Sequence, residues 1–197
     1  MEDSDQGVGP SVDGFRRFDQ DDNLRERKVQ LKGPEMPCLA YLSLGSNVGN
    51  RKGNLRDAIG RLEALGQVLS ISSFYETEPV AFTAQPWFLN CAVALETSQS
   101  PLQLMSGILE IEREMGRVRL RKKGPRIIDI DILLFGNEIV NAPALTIPHP
   151  AMAERRFVLE PLAEIGLQVQ HPVLKKTIGE LLLDLPAGQV VRKLESS

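Results

Sequence analysis

Two aspartates, Asp129 and Asp131, stand two positions apart in an apolar stretch of the sequence. On a β-strand, residues two apart project from the same face, so both carboxylates would lie on one side. The opposite, buried face would be formed by Ile128, Ile130, Ile132 and Leu134. Magnesium prefers one or two carboxylates, with water and substrate phosphates completing its shell. The pair therefore predicts a metal site, although the two aspartates, a residue type depleted in strands, would also serve simply to solvate one side.

Cationic residues crowd the segment just before this strand. Six of the ten residues 117–126 are basic, namely Arg117, Arg119, Arg121, Lys122, Lys123 and Arg126. Phosphoryl transfer needs cations to neutralise phosphates, a metal to bridge them and a rigid platform to align the attack. For any single lysine, a solvated loop position is the better interpretation. For Arg117, Arg119 and Arg126 together, the spacing favours contact with phosphate.

Two common nucleotide-binding motifs are missing from the sequence. It contains neither the Gly-x-x-x-x-Gly-Lys-Ser/Thr loop nor the Gly-x-Gly-x-x-Gly fingerprint, so a P-loop enzyme and a Rossmann dehydrogenase are not supported. Glycine-containing residues 45–49 are too short and generic to indicate more than a turn. His149, between two prolines, suits a structural hydrogen bond as well as a phosphate contact.

Apolar periodicity predicts an alternation of strands and helices. Strands are predicted at 39–44, 68–75, 88–95 and 128–135, and helices at 55–65 and 101–116. Residues 138–142 follow a Gly-Asn turn and are predicted to pair with the preceding strand as a hairpin. This order predicts an α+β fold with a ferredoxin-like βαββαβ core, an added hairpin and C-terminal helices.

Length and composition favour one domain. A chain of 197 residues with 42% hydrophobic content can bury one sizeable core, which we assign to residues 37–197. Residues 1–36 show no sustained apolar period and are predicted to be a disordered leader. Their nine acidic and six basic side chains account for the net charge of -3.

The charge balance also limits the partners. With residues 37–197 formally neutral, the chain is not expected to bind nucleic acid generally, because that requires a net basic surface. No stretch is long and apolar enough for a membrane span, and no signal peptide is visible. The two cysteines show neither metal-ligand spacing nor a disulfide framework. We therefore expect a cytoplasmic protein, and a monomer, that acts on small molecules.

Six short segments carry a resemblance to a known family. They are YLSLGSN at 41–47, SFYET at 73–77, QPWFLN at 85–90, GRVR at 116–119, GPRIIDID at 124–131 and IPHP at 147–150. Their order is that of the 6-hydroxymethyl-7,8-dihydropterin pyrophosphokinases, which the chain resembles over residues 39–165 and more weakly to about 185. The resemblance implies transfer of diphosphate from ATP to the hydroxymethyl group of a reduced pterin, in folate biosynthesis, with AMP released.

The resemblance also implies a role for individual residues. Asp129 and Asp131 would hold two magnesium ions and would act in catalysis with Arg117 and Arg126. The ATP-binding set would be Glu112, Arg117, Arg119, Arg126, Thr146, His149 and Arg155, with Glu112 and Thr146 at the adenosine. The pterin set would be Thr77, Glu78, Val80, Phe88, Asn90 and Phe157, the two phenylalanines enclosing the ring. Without the resemblance, core packing is the more probable role of either phenylalanine.

Two other functions remain open on the residues alone. A metal-dependent nucleotide hydrolase would use the same carboxylates and arginines with water as the nucleophile, and it would break down ATP without pterin. An RNA-binding ferredoxin-like module would use the basic segment 117–126. That module would need exposed aromatic residues on its sheet, and the predicted strands lack that signature.

Overall fold

The computed structural model of the protein describes residues 36–79, 85–117 and 124–195. Three predictions lie outside these residues: the disordered leader, apart from Met36, and the site residues Val80 and Arg119. No helix in the described part of the chain is both long and apolar enough to cross a membrane.

Within the described residues, six strands form one antiparallel sheet. They are β1 (Cys38–Ser46), β2 (Gln67–Ile71), β3 (Tyr75–Thr77), β4 (Phe88–Thr97), β5 (Asp129–Phe135) and β8 (Val191–Lys193). The strand order is β5-β1-β4-β3-β8, and β2 pairs with β4 beside β3. The long strands β1 and β4 lie at the centre and are buried along most of their length.

The strand predicted at 68–75 is two strands, and that prediction was wrong in this detail. The amide of Ser72 donates to the carbonyl of Ala92, and the Ser72 hydroxyl accepts from the Ala92 amide, both at 2.9 Å. A side chain thus replaces a backbone partner, and the ladder is interrupted between β2 and β3.

The predicted hairpin at 138–142 was also wrong in its partner. The strand β6 (Val140–Ala142) pairs with β7 (Leu145–Ile147) and not with β5. Leu145 and Ile147 are buried in the same core as Ile130, whereas β6 is partly exposed. Burial of these two apolar side chains places β7 next to β5. Just after β7, the His149 amide donates a hydrogen bond to the Leu133 carbonyl of β5 at 2.9 Å.

In the part of the chain that the structure describes, four α-helices cover the two faces of the sheet. Helices α1 (Arg51–Leu62) and α2 (Pro101–Glu114) pack on one face, and α3 (Arg156–Gly166) and α4 (Ile178–Asp184) on the other. A 3-10 turn, Met152–Glu154, precedes α3. Helices α2 and α4 begin with capping boxes, Ser100 with Gln103 and Thr177 with Glu180, in which side chains satisfy amides that a helix N-terminus leaves unpaired.

Strand β5 contributes to both cores through a bulge. The predicted alternation holds for Ile128, Ile130 and Ile132, which face α1 and α2. The register with β1 then shifts, so that Leu133 and Leu134 both join the core under α3 and α4. Placing Leu134 on the isoleucine face was therefore wrong, because one extra residue in a strand reverses the direction of those that follow it.

Candidate active site

A cavity of about 400 Å³ opens at one end of the sheet, on the face that α3 and α4 cover farther along. Asp129 and Asp131 of β5 both line it, as do their register partners on β1, Gly45 and Ser43. The other lining residues are Thr77, Glu78, Pro79, Gln85, Phe88, Asn90, Arg117, Arg126, His149, Arg155 and Phe157. Most of the side chains that the sequence singled out thus meet in one place.

Two arginines hold Asp129. One Nη1 of Arg117 lies 2.6 Å from Oδ1 of Asp129, and Nη1 of Arg126 lies 2.6 Å from Oδ2. The Nε of Arg126 is buried and has no hydrogen-bond partner among the described residues. An unpaired buried donor costs free energy, so this N–H favours an anionic acceptor brought by a ligand.

Glu112 lies behind the arginines and does not line the cavity. Its side chain is only 3% exposed, accepts a hydrogen bond from the Ile130 amide at 2.8 Å and pairs with Arg117. Burial raises the pKa of Glu112, while the Ile130 amide and Arg117 act in the opposite direction. These contacts fix Arg117 through Glu112, and the contact of Glu112 with adenosine stays a prediction.

Asp131 and His149 both line the cavity and interact electrostatically. Burial raises the pKa of Asp131, and the negative charge of Asp129 raises it further, against the pull of His149, Arg155 and Arg117. Burial lowers the pKa of His149, although Asp131 opposes this. The His149 Nδ1 accepts from the Ala151 amide at 3.2 Å, which leaves Nε2 as the nitrogen that can donate.

The donor set suits a hard cation that brings most of its own ligands. In the described ranges, no group of three or more His, Cys, Asp and Glu side chains is arranged to hold a metal. Burial raises the pKa of Asp131, and repulsion by the Asp129 carboxylate on the same strand face raises it further. Mg²⁺, which keeps waters and substrate phosphates in its shell, fits such a pair, whereas a structural zinc site does not.

The cavity lining also includes two aromatic rings and an amide, and the guanidinium groups of Arg126 and Arg155 lie 5.5 and 5.7 Å from the ring centroids of Phe88 and Phe157. Phe88 and Phe157 both line it, and the buried Asn90 donates from Nδ2 to the Thr77 hydroxyl at 2.7 Å. A Cβ on Gly45 would lie 2.7 Å from Oδ1 of Asn90, so only glycine leaves room for the amide in this orientation. Flat rings and an oriented amide can bind a planar heterocycle and read its polar edge.

Asn47 ties three parts of the cavity wall together. Its Oδ1 accepts from the Arg126 amide at 2.8 Å, and its amide donates to the Arg126 carbonyl at 3.2 Å. Its Nδ2 donates to Oε1 of Gln85 at 3.1 Å and to the Pro86 carbonyl at 3.3 Å. The sequence indicated only a turn here, so this clamp was missed.

Among the described residues, the structure leaves two predicted residues, Glu112 and Thr146, away from the cavity lining and adds four residues to it. Thr146 is exposed on β7 and does not line the cavity. Ser43, Gly45, Pro79 and Gln85 line it and were not predicted to take part. The alternation along β1 would have placed Ser43 and Gly45 on one face, but only the pairing of β1 with β5 reveals that this face is the one carrying the aspartates.

The carboxylates and arginines of the cavity suit the binding of phosphates and a cation, and comparison with known proteins identifies the family. The family model of 7,8-dihydro-6-hydroxymethylpterin-pyrophosphokinase (HPPK) matches residues 41–167. A Bacillus subtilis protein named 2-amino-4-hydroxy-6-hydroxymethyldihydropteridine pyrophosphokinase is 48% identical over 137 residues, which are 68% of this chain and 82% of the relative. The chain belongs to the HPPK family.

Other relatives are longer than the matched region. The folic acid synthesis protein fol1 of Pneumocystis carinii is 46% identical over 134 residues, 68% of this chain, but the chain spans only 18% of that protein. A crystal structure of Plasmodium falciparum HPPK-DHPS with pterin and p-hydroxybenzoate has a TM-score of 0.62 at 20% identity, over 75% of this chain and 43% of that one. This likeness concerns the fold.

Proposed function

We propose that the protein transfers diphosphate from ATP to the hydroxymethyl group of 6-hydroxymethyl-7,8-dihydropterin, giving AMP and the pterin diphosphate, in folate biosynthesis. The observation that carries this proposal is the single cavity in which a carboxylate pair and clustered arginines meet two aromatic side chains and an oriented amide. Membership of the HPPK family and the name of the Bacillus subtilis relative support the same reaction.

The nucleotide phosphates would bind at the arginines. Arg117 and Arg126 are already fixed by Asp129, and the unpaired Nε of Arg126 offers a donor without further rearrangement. His149 would donate from Nε2, and Arg155 adds a cation at the cavity wall. Arg119 belongs to this proposed set by its place in the sequence. Preorganised donors of this kind stabilise the charge that develops on transferred phosphate.

Adenosine remains the proposed ligand of the region near Thr146, as the family resemblance suggests. For Glu112, the buried pair with Arg117 supports a further task, because it fixes the direction of a phosphate-binding guanidinium. A rigid charge partner lowers the entropy that the arginine would lose on binding phosphate.

Asp129 and Asp131 are the proposed ligands of two magnesium ions. These carboxylates would hold magnesium, which when bound would supply positive charge to neutralise the phosphates. The protein's own contribution is to hold two carboxylates on one strand face, with Ser43 and Gly45 of β1 opposite them. A cation between the carboxylates would relieve the repulsion that raises the pKa of Asp131.

The pterin would bind at the two cavity-lining phenylalanines. Phe88 and Phe157 would contact its faces, while Asn90, held by Thr77, would read its edge. Glu78 also lines the cavity, and Val80 belongs to this proposed set by its place in the sequence. Because the two proposed binding sites share one cavity, binding of both substrates would orient the hydroxymethyl oxygen toward the β-phosphorus of ATP.

The ferredoxin-like topology, the oligomeric state and the cellular location are also parts of this proposal. The strand order β5-β1-β4 with β2 outside it supports a ferredoxin-like arrangement of the core. A monomeric state and a cytoplasmic location are our predictions.

The deciding experiment measures AMP release from ATP and magnesium, with and without 6-hydroxymethyl-7,8-dihydropterin. We expect AMP only with pterin, in equal amounts with diphosphorylated pterin, and loss of both when EDTA removes the metal. ADP as the product, or AMP formed regardless of pterin, would contradict the proposal and favour a nucleotide hydrolase.

A further inference from the structure

The segment formed by residues 189–193 contacts several residues that line the cavity. Its strand β8 pairs with β3, with Val191 opposite Thr77 and Arg192 opposite Glu76. Thr77 lines the cavity and holds the amide of Asn90. The three-residue strand β3 is thus enclosed between β4 and β8 and depends on both for its position.

The residues just before β8 contact two further cavity-lining residues. The Val190 amide donates to Oε1 of Glu78 at 3.0 Å, and the Glu78 amide lies 3.5 Å from the Val190 carbonyl. The Phe157 amide donates to Oε1 of Gln189 at 3.3 Å. Because the preceding Arg155 makes no capping bond through its side chain, Gln189 supplies an acceptor to the first turn of α3, the turn that carries Phe157.

Arg192 contacts the residue next to the other proposed ring-binding aromatic. Its guanidinium lies 5.3 Å from the ring centroid of Trp87, the neighbour of Phe88. The Trp87 carbonyl accepts from Arg51 at 2.8 Å, and Arg51 also pairs with Glu76 at 2.8 Å. Trp87 is therefore held between two cations, of which one comes from β8.

We propose that Gln189 and Arg192 are positioning residues for the pterin. Together they fix the positions of the two cavity-lining phenylalanines, and so they set the affinity for pterin rather than that for ATP. The inference rests on the proposed function and extends it to a segment beyond the family match, which ends at residue 167. Their contacts reach the backbone of Phe157 directly and Phe88 through its neighbour Trp87, and both phenylalanines line the cavity.

A control is available on the same strand. Lys193 is also basic, but its Nζ pairs with Glu164 at 2.9 Å on the exposed side of α3 and not with a cavity-lining residue. Lys193→Ala and Arg192→Ala remove a comparable charge from neighbouring positions, so a difference between them reflects the contact with Trp87.

The test compares steady-state constants of wild type, Gln189→Ala, Arg192→Ala, Arg192→Lys and Lys193→Ala, with AMP release as the assay and thermal melting as the check on folding. We expect the two alanine variants at 189 and 192 to raise KM for pterin by about threefold or more, with KM for ATP within about twofold of wild type. Arg192→Lys keeps a cation over Trp87 and should stay within about twofold in both constants.

The outcomes separate the two proposals. If wild type forms no pterin-dependent AMP, the proposed function fails, and this inference fails with it. If wild type is active but the 189 and 192 variants keep its KM for pterin, only this inference is overturned. A parallel rise in KM for ATP, or an equal rise in Lys193→Ala, would likewise overturn it, because either result would indicate a general loss of structure.

Discussion

At the scale of single residues, the two aspartates differ although they share one strand face. Asp129 has an arginine on each oxygen, at 2.6 Å in both cases. Asp131 lies in a buried environment where its pKa is raised by desolvation and by the charge of Asp129. Asp129 is therefore part of the framework that fixes the arginines, while Asp131 carries an electrostatic cost that a bound cation would remove.

Replacement of Asp131 by Asn should separate activity from stability. Asp131→Asn keeps the shape of the side chain and removes a repelled charge, so the melting temperature should be unchanged or higher. Loss of one proposed metal ligand should lower kcat by about 100-fold or more, since metal stabilisation of phosphate charge is worth several kcal/mol. The measurements are AMP release with saturating substrates and a thermal melt of the same sample.

The matched variant is Asp129→Asn, which leaves Arg117 and Arg126 without their shared carboxylate. It should lower both kcat and the melting temperature, because Arg126 loses this ion pair and Arg117 is left with its pair to Glu112. Full activity in Asp131→Asn would contradict the metal assignment.

At the scale of secondary structure elements, α2 links helix capping to the cavity. The helix begins at the Ser100 cap and presents Glu112 near its C-terminal end, where that carboxylate meets both Arg117 and the amide of Ile130 on β5. Burial of Leu104, Ile108 and Ile111 fixes the same helix against the sheet. Helix α2 thus sets the position of Arg117 through Glu112.

Removal of the α2 cap should reduce stability and leave catalysis nearly intact. In Ser100→Ala the Gln103 amide loses its side-chain acceptor, which lies 3.4 Å away, and the capping box is broken. We expect the free energy of unfolding, measured by urea denaturation, to fall by about 1 kcal/mol. Packing of the remaining turns should keep kcat near the wild-type value.

Ser98→Ala, at an exposed position two residues earlier, is the control and should change the free energy of unfolding by less than about 0.5 kcal/mol. Equal stability of the two variants would show that the cap contributes nothing measurable.

At the scale of the whole molecule, Glu164 of α3 joins parts that lie far apart in sequence. It accepts hydrogen bonds from the Ser73 amide and hydroxyl, from the Tyr75 hydroxyl at 3.0 Å and from Lys193 at 2.9 Å. Desolvation raises its pKa, but these hydrogen bonds outweigh that effect and lower the pKa to about 2. One carboxylate therefore connects α3, β3 and β8.

This lowered pKa predicts an acid-dependent contribution to folding. A carboxyl group whose native pKa lies below its ordinary value of 4.5 stabilises the fold above about pH 4.5, and the stabilisation is lost as the pH falls toward 2. Glu164→Gln should therefore melt below wild type at pH 7, and the difference should shrink progressively between pH 4.5 and pH 2.

Glu138→Gln, at an exposed position after β5, serves as the control and should melt close to wild type at pH 7. If the difference in melting temperature between Glu164→Gln and wild type stayed constant from pH 4.5 to pH 2, that result would contradict the lowered pKa of Glu164.

The sequence by itself determined the local features of this protein. Apolar periodicity located both helices of the main core and the central strands, because burial of one face imposes a period that is visible in the residues. The two-residue spacing placed Asp129 and Asp131 on one face of a strand. The order of the six short segments indicated the family. These inferences needed only local geometry or a match of short motifs.

Only the tertiary structure decided which distant residues meet. The bulge that turns Leu134 to the second core, the pairing of β6 with β7 and the interruption at Ser72 all depend on partners far away in sequence. The same holds for the clamp at Asn47 and for Glu112 beneath Arg117. Long-range hydrogen bonds and packing select among local conformations of similar energy, and a single strand or turn carries no record of its partners.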